Sequence, residues 1–231
     1  NLEPDLVWIK NRDQGDSHSL YDSVRGTTKQ IEADNNAAET TESEGLTTFG
    51  SDGFTVGSLA QVNTNTENYA AWSWKEATTS GFDIVTYTGN GSARTISHSL
   101  GIVPNFIIVK NRSAADAWKV YHSEAASDPQ TDYFVLNAGD AAADDATVWN
   151  DTAPTNSVFS LGAHTDVNTN TENYVAYLWG NIPQFQMFGK YVGNGNADGS
   201  FVWTGFRPQL VILKHSSAGE GWAMYDASIN P

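Results

Sequence analysis

The sequence contains no cysteine, little positive charge and no long apolar run. Without cysteine among its 231 residues, the chain forms no disulfide and holds no thiolate-bound metal. No apolar stretch approaches the roughly 18 residues of a membrane-spanning helix. We therefore expect no insertion into a membrane, and the redox conditions around the protein cannot be inferred from its composition.

The charge balance is strongly acidic. The chain has 27 Asp and Glu against 12 Lys and Arg, which gives a formal net charge of −15 at pH 7. Such a chain repels DNA and anionic lipid unless a local basic patch compensates, and its basic residues are scattered singly. We expect no nucleic-acid partner. The acidic surplus fits high solubility, with attraction to a cationic partner or a divalent ion as the alternative.

Two motifs recur at a fixed interval. Val-Asn-Thr-Asn-Thr-Glu-Asn-Tyr occupies residues 62–69 and again 167–174, 105 residues later. A Pro, a polar residue, four apolar residues and a Lys begin at Pro4, Pro104 and Pro208. Such recurrence predicts repeated structural units. We name these units copy one (residues 1–80), copy two (residues 81–183) and copy three (residues 184–231).

Short β-strands are predicted throughout each copy. Four consecutive apolar residues after Pro indicate a strand buried on both faces, and no segment shows the 3.6-residue apolar period of a helix. For copy two we predict strands near residues 82–88, 94–98, 106–110, 118–123, 133–137, 158–161 and 174–179, and a further strand at residues 201–203 of copy three.

This pattern predicts an all-β fold of tandem antiparallel β-sandwich modules, lectin-like or jelly-roll-like, of about 100 residues each. Copy one lacks the strands before its Pro motif, and copy three lacks its second half. Strand-deficient sheets expose hydrogen-bonding edges. We therefore expect either a longer chain or missing strands supplied by neighbouring subunits.

Four motifs follow one another in a fixed order. They are Pro-Asp-Leu-Val-Trp-Ile-Lys-Asn-Arg from Pro4, Leu-Tyr-Asp-Ser-Val-Arg-Gly from Leu20, Gly-Phe-Thr-Val-Gly from Gly53, and the Val-Asn-Thr-Asn motif. This set resembles a repeated module of unknown function found in phage and prophage tail-fibre-like proteins. The resemblance implies a lectin-like sandwich in a virion appendage and brings no catalytic residues. Copy three departs from it, because Lys-Asn-Arg becomes Lys-His-Ser at residues 214–216.

The Val-Asn-Thr-Asn motif has two interpretations. Asp166, Asn168, Asn170 and Glu172 place oxygen-bearing side chains at alternate positions, as the start of a calcium loop does, but the required Gly and distal Glu are missing. The other interpretation is a hairpin tip whose Asn and Thr side chains bond their own backbone. We favour the hairpin tip and keep a structural calcium as the alternative. We expect no other cofactor.

Residues repeated in register are expected to be structural. The pairs Lys10/Arg12 and Lys110/Arg112 are predicted to bond the next turn or the neighbouring copy, with a grip on a sugar or phosphate as the alternative. Recognition is expected in the segments that differ between copies, residues 27–50 and 124–157 and the loop around residues 203–207, because loops carry most binding residues. The ligand-binding candidates, chosen for aromatic stacking on sugar rings and for charge, are Tyr133, Trp149, Trp203 and Arg207.

No motif indicates catalysis. The five His residues show no metal-ligand spacing, and no pair of carboxylates stands out for glycoside hydrolysis. We expect a non-enzymatic structural protein of an extracellular virion, a tail fibre or receptor-binding appendage that makes multivalent contacts with a host surface glycan. Other virion proteins and further copies of the chain, in a homotrimer by analogy with fibres, are the expected partners. The alternatives are a head decoration or capsid-fibre protein bound to the shell, and a secreted carbohydrate-binding module.

Overall fold

A computed structural model describes residues 2–125 and 128–229. The fold is all-β. Within the described residues every strand pairing is antiparallel, and the helices are three single turns of four residues each. No helix in this part of the chain is long and apolar enough to span a membrane.

Copy one forms a five-stranded sheet of order β4-β3-β2-β1-β7 and a separate β5-β6 hairpin. The buried Pro-motif strand β1 lies between β2 and β7, as its continuous apolar run predicts. The elements are β1 (Leu6–Asn11), β2 (Ser19–Asp22), β3 (Lys29–Glu32), β4 (Thr40–Thr41), β5 (Leu46–Gly50), β6 (Gly53–Val56), α1 (Ala60–Asn63) and β7 (Tyr69–Trp74).

Copy two repeats this sheet and adds a strand at its edge. The six-stranded order is β13-β12-β11-β10-β15-β8, and β14 pairs with β9 in a second, two-stranded sheet. The elements are β8 (Phe82–Thr88), β9 (Arg94–Ser97), β10 (Phe106–Asn111), β11 (Lys119–His122), β12 (Asp132–Val135), β13 (Ala143–Asp144), α2 (Ala146–Trp149), β14 (Val158–Leu161), α3 (Thr165–Asn168) and β15 (Asn173–Trp179).

Copy three contributes one hairpin, β16 (Leu210–Leu213) and β17 (Ala223–Asp226). It is equivalent to the β1-β2 and β10-β11 pairs, since Leu210 faces Asp226 as Leu6 faces Asp22 and Phe106 faces His122. The predicted strand at residues 201–203 does not form. No described strand lies beside that segment to pair with it.

The copies share part of their core. One cluster, which we call the shared core, contains buried residues from both large sheets and has Trp222 and Met224 of copy three packed against it. Two further clusters each belong to a single copy. Burying a large apolar side chain contributes about 1.5–3 kcal/mol, so the shared core ties the stability of the copies together. Its buried members are Leu6, Trp8, Leu20, Ile31, Ala33, Phe82, Ile84, Phe106, Ile108, Trp118, Val120, Phe134, Val175, Tyr177 and Trp179.

We predicted that the Val-Asn-Thr-Asn motif forms the tip of a hairpin, and this prediction is wrong. The first residues of the motif end a helical turn, α1 or α3, and its Tyr begins or enters the strand that joins the large sheet. The preceding strand pairs elsewhere, β6 with β5 and β14 with β9. The motif therefore crosses from one sheet to another, and Tyr174 fixes the crossing by accepting from Thr169 N (2.8 Å) and donating to Thr165 O (2.7 Å).

Candidate functional site

Of the predicted ligand residues, Trp149 is buried and Tyr133 is partly covered. Trp149 is 2% exposed and donates from Nε1 to the main-chain oxygen of Asp132 at 3.1 Å. Tyr133 is half-buried, and the Lys119 ammonium lies 3.9 Å from the centre of its ring. A sugar cannot stack on a buried indole, so Trp149 is structural here. The Lys119 cation covers one face of the Tyr133 ring.

The other two candidates, Trp203 and Arg207, are exposed, with 72% of Trp203 accessible. Trp203 lines an open cleft of about 340 Å³ with Phe201, Phe206 and Pro208. In copy two, β9 ends seven residues before Pro104 and pairs with β14, whereas residues 201–203 lie seven to five residues before Pro208. No described strand pairs with residues 201–203.

The side chains of the calcium-loop alternative point to different partners. Asp166 pairs with Lys119 at 3.2 Å, and Asn168 donates from its amide nitrogen to Ser92 O (2.7 Å) and Gly162 O (2.8 Å). Glu172 accepts from Asn111 Nδ2. In the part of the chain that the structure describes, no three His, Cys, Asp or Glu residues are grouped so as to hold a metal ion.

The largest set of repeated polar contacts lies where one copy meets the next. Trp118 of copy two donates from Nε1 to the main-chain oxygens of Glu32 (2.9 Å) and Asn35 (3.2 Å) in copy one. Trp222 of copy three donates in the same way to Val135 O of copy two at 2.9 Å. Glu32 ends β3 and Val135 ends β12, the equivalent strand. One indole therefore docks copy two on the last residue of β3 in copy one, and one docks copy three on the last residue of β12 in copy two.

A lysine repeats the same relationship. Lys110 donates to Asn36 O of copy one at 3.1 Å, and also to Ala114 O and Asp116 O of its own turn. Lys214 donates to Gly139 O of copy two at 2.9 Å. Burial lowers the pKa of Lys110 to about 8, against the opposing field of Asp116. All three ammonium protons of Lys110 are used by carbonyl groups, which suits its complete burial.

A main-chain bond completes the junction. Glu39 N donates to Arg112 O at 3.0 Å, and at the next junction Ala142 N donates to Ser216 O at 2.9 Å. At the first junction the side chains join as well, because the Arg112 guanidinium holds the Glu39 carboxylate by two bonds of 2.9 and 3.0 Å. The predicted bonding of Lys110 and Arg112 to the next turn or the neighbouring copy is confirmed.

A buried charge network lies beneath this junction. Arg25, whose side chain is fully buried, pairs with Asp22 and also reaches Glu39 at 3.1 Å. Burial disfavours the charged form of Arg25, but Tyr177, Asp22 and Glu39 raise its pKa above the ordinary value. Burial alone would raise the pKa of Glu39. The hydrogen bonds from Arg112 and the charge of Arg25 outweigh burial, so the pKa of Glu39 is lowered.

A third contact recurs between two pairs of copies, one of which is not adjacent in sequence. Tyr177 of copy two donates to Asp22 Oδ2 of copy one at 2.7 Å. Trp72 of copy one donates to Asp226 Oδ2 of copy three, also at 2.7 Å. Tyr177 and Trp72 hold the same register position, opposite Ile108 and Trp8, and Asp22 and Asp226 are equivalent. Copy one therefore contacts copy three as copy two contacts copy one.

Glu76, beside Asp83, has a raised pKa and lies away from the clefts at Trp203 and Gln61. Burial, a hydrogen bond with Asp83 and the charges of Asp83 and Asp5 raise the pKa of Glu76 to about 7. Asp83 is 2% exposed and accepts from Ser99 N at 2.6 Å. Neither Glu76 nor Asp83 lines the open cleft at Trp203 or the smaller cleft of about 170 Å³ beside Gln61. The hydrogen bond between Glu76 and Asp83 joins copy one to copy two.

These features define a class of all-β protein with several antiparallel sheets, whose polar clusters join one repeat to the next. The chain belongs to the family described as a domain of unknown function (DUF7483), whose profile matches residues 1–231. Comparison with curated proteins and with solved structures gave no match.

Sequence reasoning missed the docking role of the variable segments. Residues 27–50 were predicted to recognise a ligand, yet Glu32, Asn35, Asn36 and Glu39 in that segment bind copy two. In the segment 124–157, of which residues 126 and 127 lie outside the described part, Val135 and Gly139 bind copy three. The acceptors are mostly main-chain oxygens, which any residue supplies whatever its side chain. The donors could have predicted these junctions, because the Trp and Lys residues recur at equivalent positions of the copies.

Proposed function

We propose that the chain is a non-enzymatic structural protein of a virion, a tail fibre or receptor-binding appendage built from tandem β-sandwich modules of about 100 residues. The observation that carries the proposal is the recurrence of one set of docking contacts at successive junctions, through Trp118 and Trp222 and through Lys110 and Lys214. Repeated junctions around a shared core suit a rigid structural part. The resemblance of the ordered motifs to tail-fibre modules supplies the virion context.

The mechanism would be multivalent attachment. Single contacts with a surface glycan are weak, and repetition along the chain and between chains of a homotrimer multiplies them. Of the predicted ligand residues, Trp203 and Arg207 are the two that are exposed. Trp203 would offer its indole face for stacking and Arg207 its guanidinium for hydrogen bonds.

Immunogold electron microscopy tests the location. Antibodies against the purified chain are applied to particles released by the strain that encodes it. Gold on tail fibres or tail tips supports the proposal, and gold on the capsid shell supports the head-decoration alternative instead. If particles carry no gold while the free chain in the same lysate is labelled, the virion assignment is wrong.

A glycan array tests the attachment step separately. The full chain is compared with Trp203→Ala and with Trp149→Phe, a control at a buried position where no ligand contact is expected. Binding that is lost in Trp203→Ala and kept in Trp149→Phe supports Trp203 as a contact. Glycan binding by a monomer that labels no particle would favour the secreted carbohydrate-binding module.

A further inference from the structure

Copy one has a serine at a position where copy two has a buried lysine. Ser19 of β2 faces Ile9 in the sheet, and Lys119 of β11 faces Val109, the residue equivalent to Ile9. Both side chains are buried, since Ser19 is 0% and Lys119 4% exposed. Copy one therefore lacks a four-carbon chain and an ammonium group that copy two carries in its interior.

The Lys119 ammonium in copy two is surrounded by acidic and aromatic groups. It lies 3.2 Å from the Asp166 carboxylate and 3.9 Å from the centre of the Tyr133 ring. Its charge also reaches Asp145. Hydrogen bonds from Thr147 lower the pKa of Asp145, and the charge of Lys119 lowers that pKa further. One lysine thus compensates two carboxylates.

Copy one keeps acidic residues at this place although the lysine is missing. Glu42 is the counterpart of Asp145, because the main-chain N–H of each donates to the threonine before the third strand, Thr28 or Thr131. Glu32, at the end of β3, adds a second carboxylate. Both line the cleft of about 170 Å³ beside Gln61. In the described part of the chain, no Lys, Arg or His forms an ion pair with either carboxylate.

The two carboxylates act together on the wall of the cleft. Burial raises the pKa of Tyr21, and the charges of Glu42 and Glu32 raise it further. The charge of Arg25 opposes them without reversing the shift. The Tyr21 hydroxyl donates to Gln30, whose side chain lines the cleft. The cleft therefore has the negative potential that a cation requires.

Ser19 leaves an unsatisfied hydroxyl beside this cleft. It lies directly opposite Glu32 in the sheet, so the two side chains share one face. Its Oγ is buried and has no hydrogen-bond partner among the described residues. Because buried hydroxyl groups are normally bonded, a polar ligand group that reaches Oγ is favoured. The cleft, at about 170 Å³, far exceeds the ~10–15 Å³ that one water needs.

We propose that the cleft between Glu32 and Glu42 binds a primary alkylammonium group, which takes the place in copy one that the Lys119 side chain fills in copy two. The carboxylates accept from its N–H groups, and its carbon chain packs against Leu59 and Ala38, which line the same cleft. The net charge of −15 attracts such a cation to the protein. A free small amine and a lysine side chain of another protein both carry this group.

Nuclear magnetic resonance with n-butylammonium, which reproduces the lysine side chain, tests the site. We expect saturable shifts of the side-chain amide signals of Gln30 and Gln61, which both line the cleft. n-Butanol, with the same carbon chain and no charge, and sodium chloride at equal ionic strength should produce no such shifts. Equal shifts with n-butanol, or no saturable shift with n-butylammonium, would overturn the proposal.

Three variants locate the binding. Glu42→Gln keeps the size of the side chain and removes its charge, so n-butylammonium should bind roughly fivefold more weakly. Glu44→Gln removes the same charge at an exposed position outside the cleft and should bind as the parent does. Ser19→Lys should abolish binding, because its side chain fills the cleft as Lys119 fills the equivalent place. Unchanged binding in Glu42→Gln, or in a folded Ser19→Lys, would contradict the site.

A last arm distinguishes the two sources of the amine. Nα-acetyl-lysine N-methylamide presents the lysine side chain on a peptide backbone. If it shifts the Gln30 and Gln61 signals as n-butylammonium does, the cleft admits a lysine of a partner protein. If n-butylammonium alone binds, the ligand is a free small amine. If neither compound binds, the cleft is not an amine site and the proposal fails.

Discussion

The indole of Trp118 donates a hydrogen bond of 2.9 Å to the main-chain oxygen of Glu32, a residue 86 positions earlier in a different repeat. Trp222 and Val135 repeat the relationship one copy later, 87 positions apart. The donor is a Trp side chain that copies two and three share. The acceptor is a backbone oxygen in a segment whose sequence differs between copies one and two. This division explains how the segments between the strands vary while the junction persists.

Trp118→Phe should destabilise the protein. The substitution keeps an aromatic ring in the shared core but leaves the oxygens of Glu32 and Asn35 without their buried donor, at an expected cost of about 1–3 kcal/mol in the free energy of unfolding. Urea unfolding followed by circular dichroism measures it. Trp203→Phe is the matched control, because Trp203 is exposed, and should stay within about 0.5 kcal/mol of the parent protein. Equal effects at the two positions would show that the junction bond contributes nothing.

Tyr177→Phe tests the bond that links copy two to the buried charge network. Asp22 is fully buried and accepts from Tyr177 at 2.7 Å while it pairs with Arg25. Without the hydroxyl, one buried oxygen of the Asp22 carboxylate loses a hydrogen bond that water cannot replace. We therefore expect the free energy of unfolding to fall by about 1–3 kcal/mol. The half-exposed Tyr191 provides the control, and Tyr191→Phe should be nearly neutral. A neutral Tyr177→Phe would mean that Arg25 alone satisfies Asp22.

Glu76→Gln should stabilise the protein in a pH-dependent manner. The pKa of Glu76 rises from 4.5 to about 7 on folding, so between these values the folded state binds more protons than the unfolded state. Stability from this group is therefore present at low pH and is lost as the pH rises toward and through 7. The neutral amide removes that loss. We expect Glu76→Gln to melt at a higher temperature than the parent at pH 8 and the difference to shrink as the pH falls to about 4.5.

Melting curves between pH 4 and pH 8 provide the measurement, with Glu220→Gln, at an exposed position, as the control. A stabilisation that grows as the pH falls would contradict the assigned direction of the Glu76 pKa. A stabilisation that is the same at every pH would show that the effect comes from packing and not from titration.

Much of the strand arrangement could be predicted from the sequence. The apolar runs of Phe82–Thr88 and Val158–Leu161 gave strand limits that the structure reproduces. The three helical turns could not be predicted, because four residues are too few to show a helical period. The strand expected at residues 201–203 fails for a different reason, since a strand forms only with a partner and none is described beside it.

The site was harder to predict than the fold. Trp149 was chosen because it lies in a variable segment, but variability in this chain marks docking segments as well as loops. Its indole, at the end of α2, is buried in the core of copy two against Tyr121. Lys110 and Arg112 were correctly interpreted because their repetition in register pointed to a structural role. Which oxygens they reach depends on the packing of one copy against another, and no local pattern encodes it.

Differential scanning calorimetry of the whole chain tests most directly whether copies one and two are one folding unit. Buried residues of both large sheets form one cluster, so the two copies should unfold together. We expect a single transition whose van't Hoff enthalpy equals the calorimetric enthalpy. Two resolved transitions, or a van't Hoff enthalpy near half the calorimetric value, would contradict the shared core.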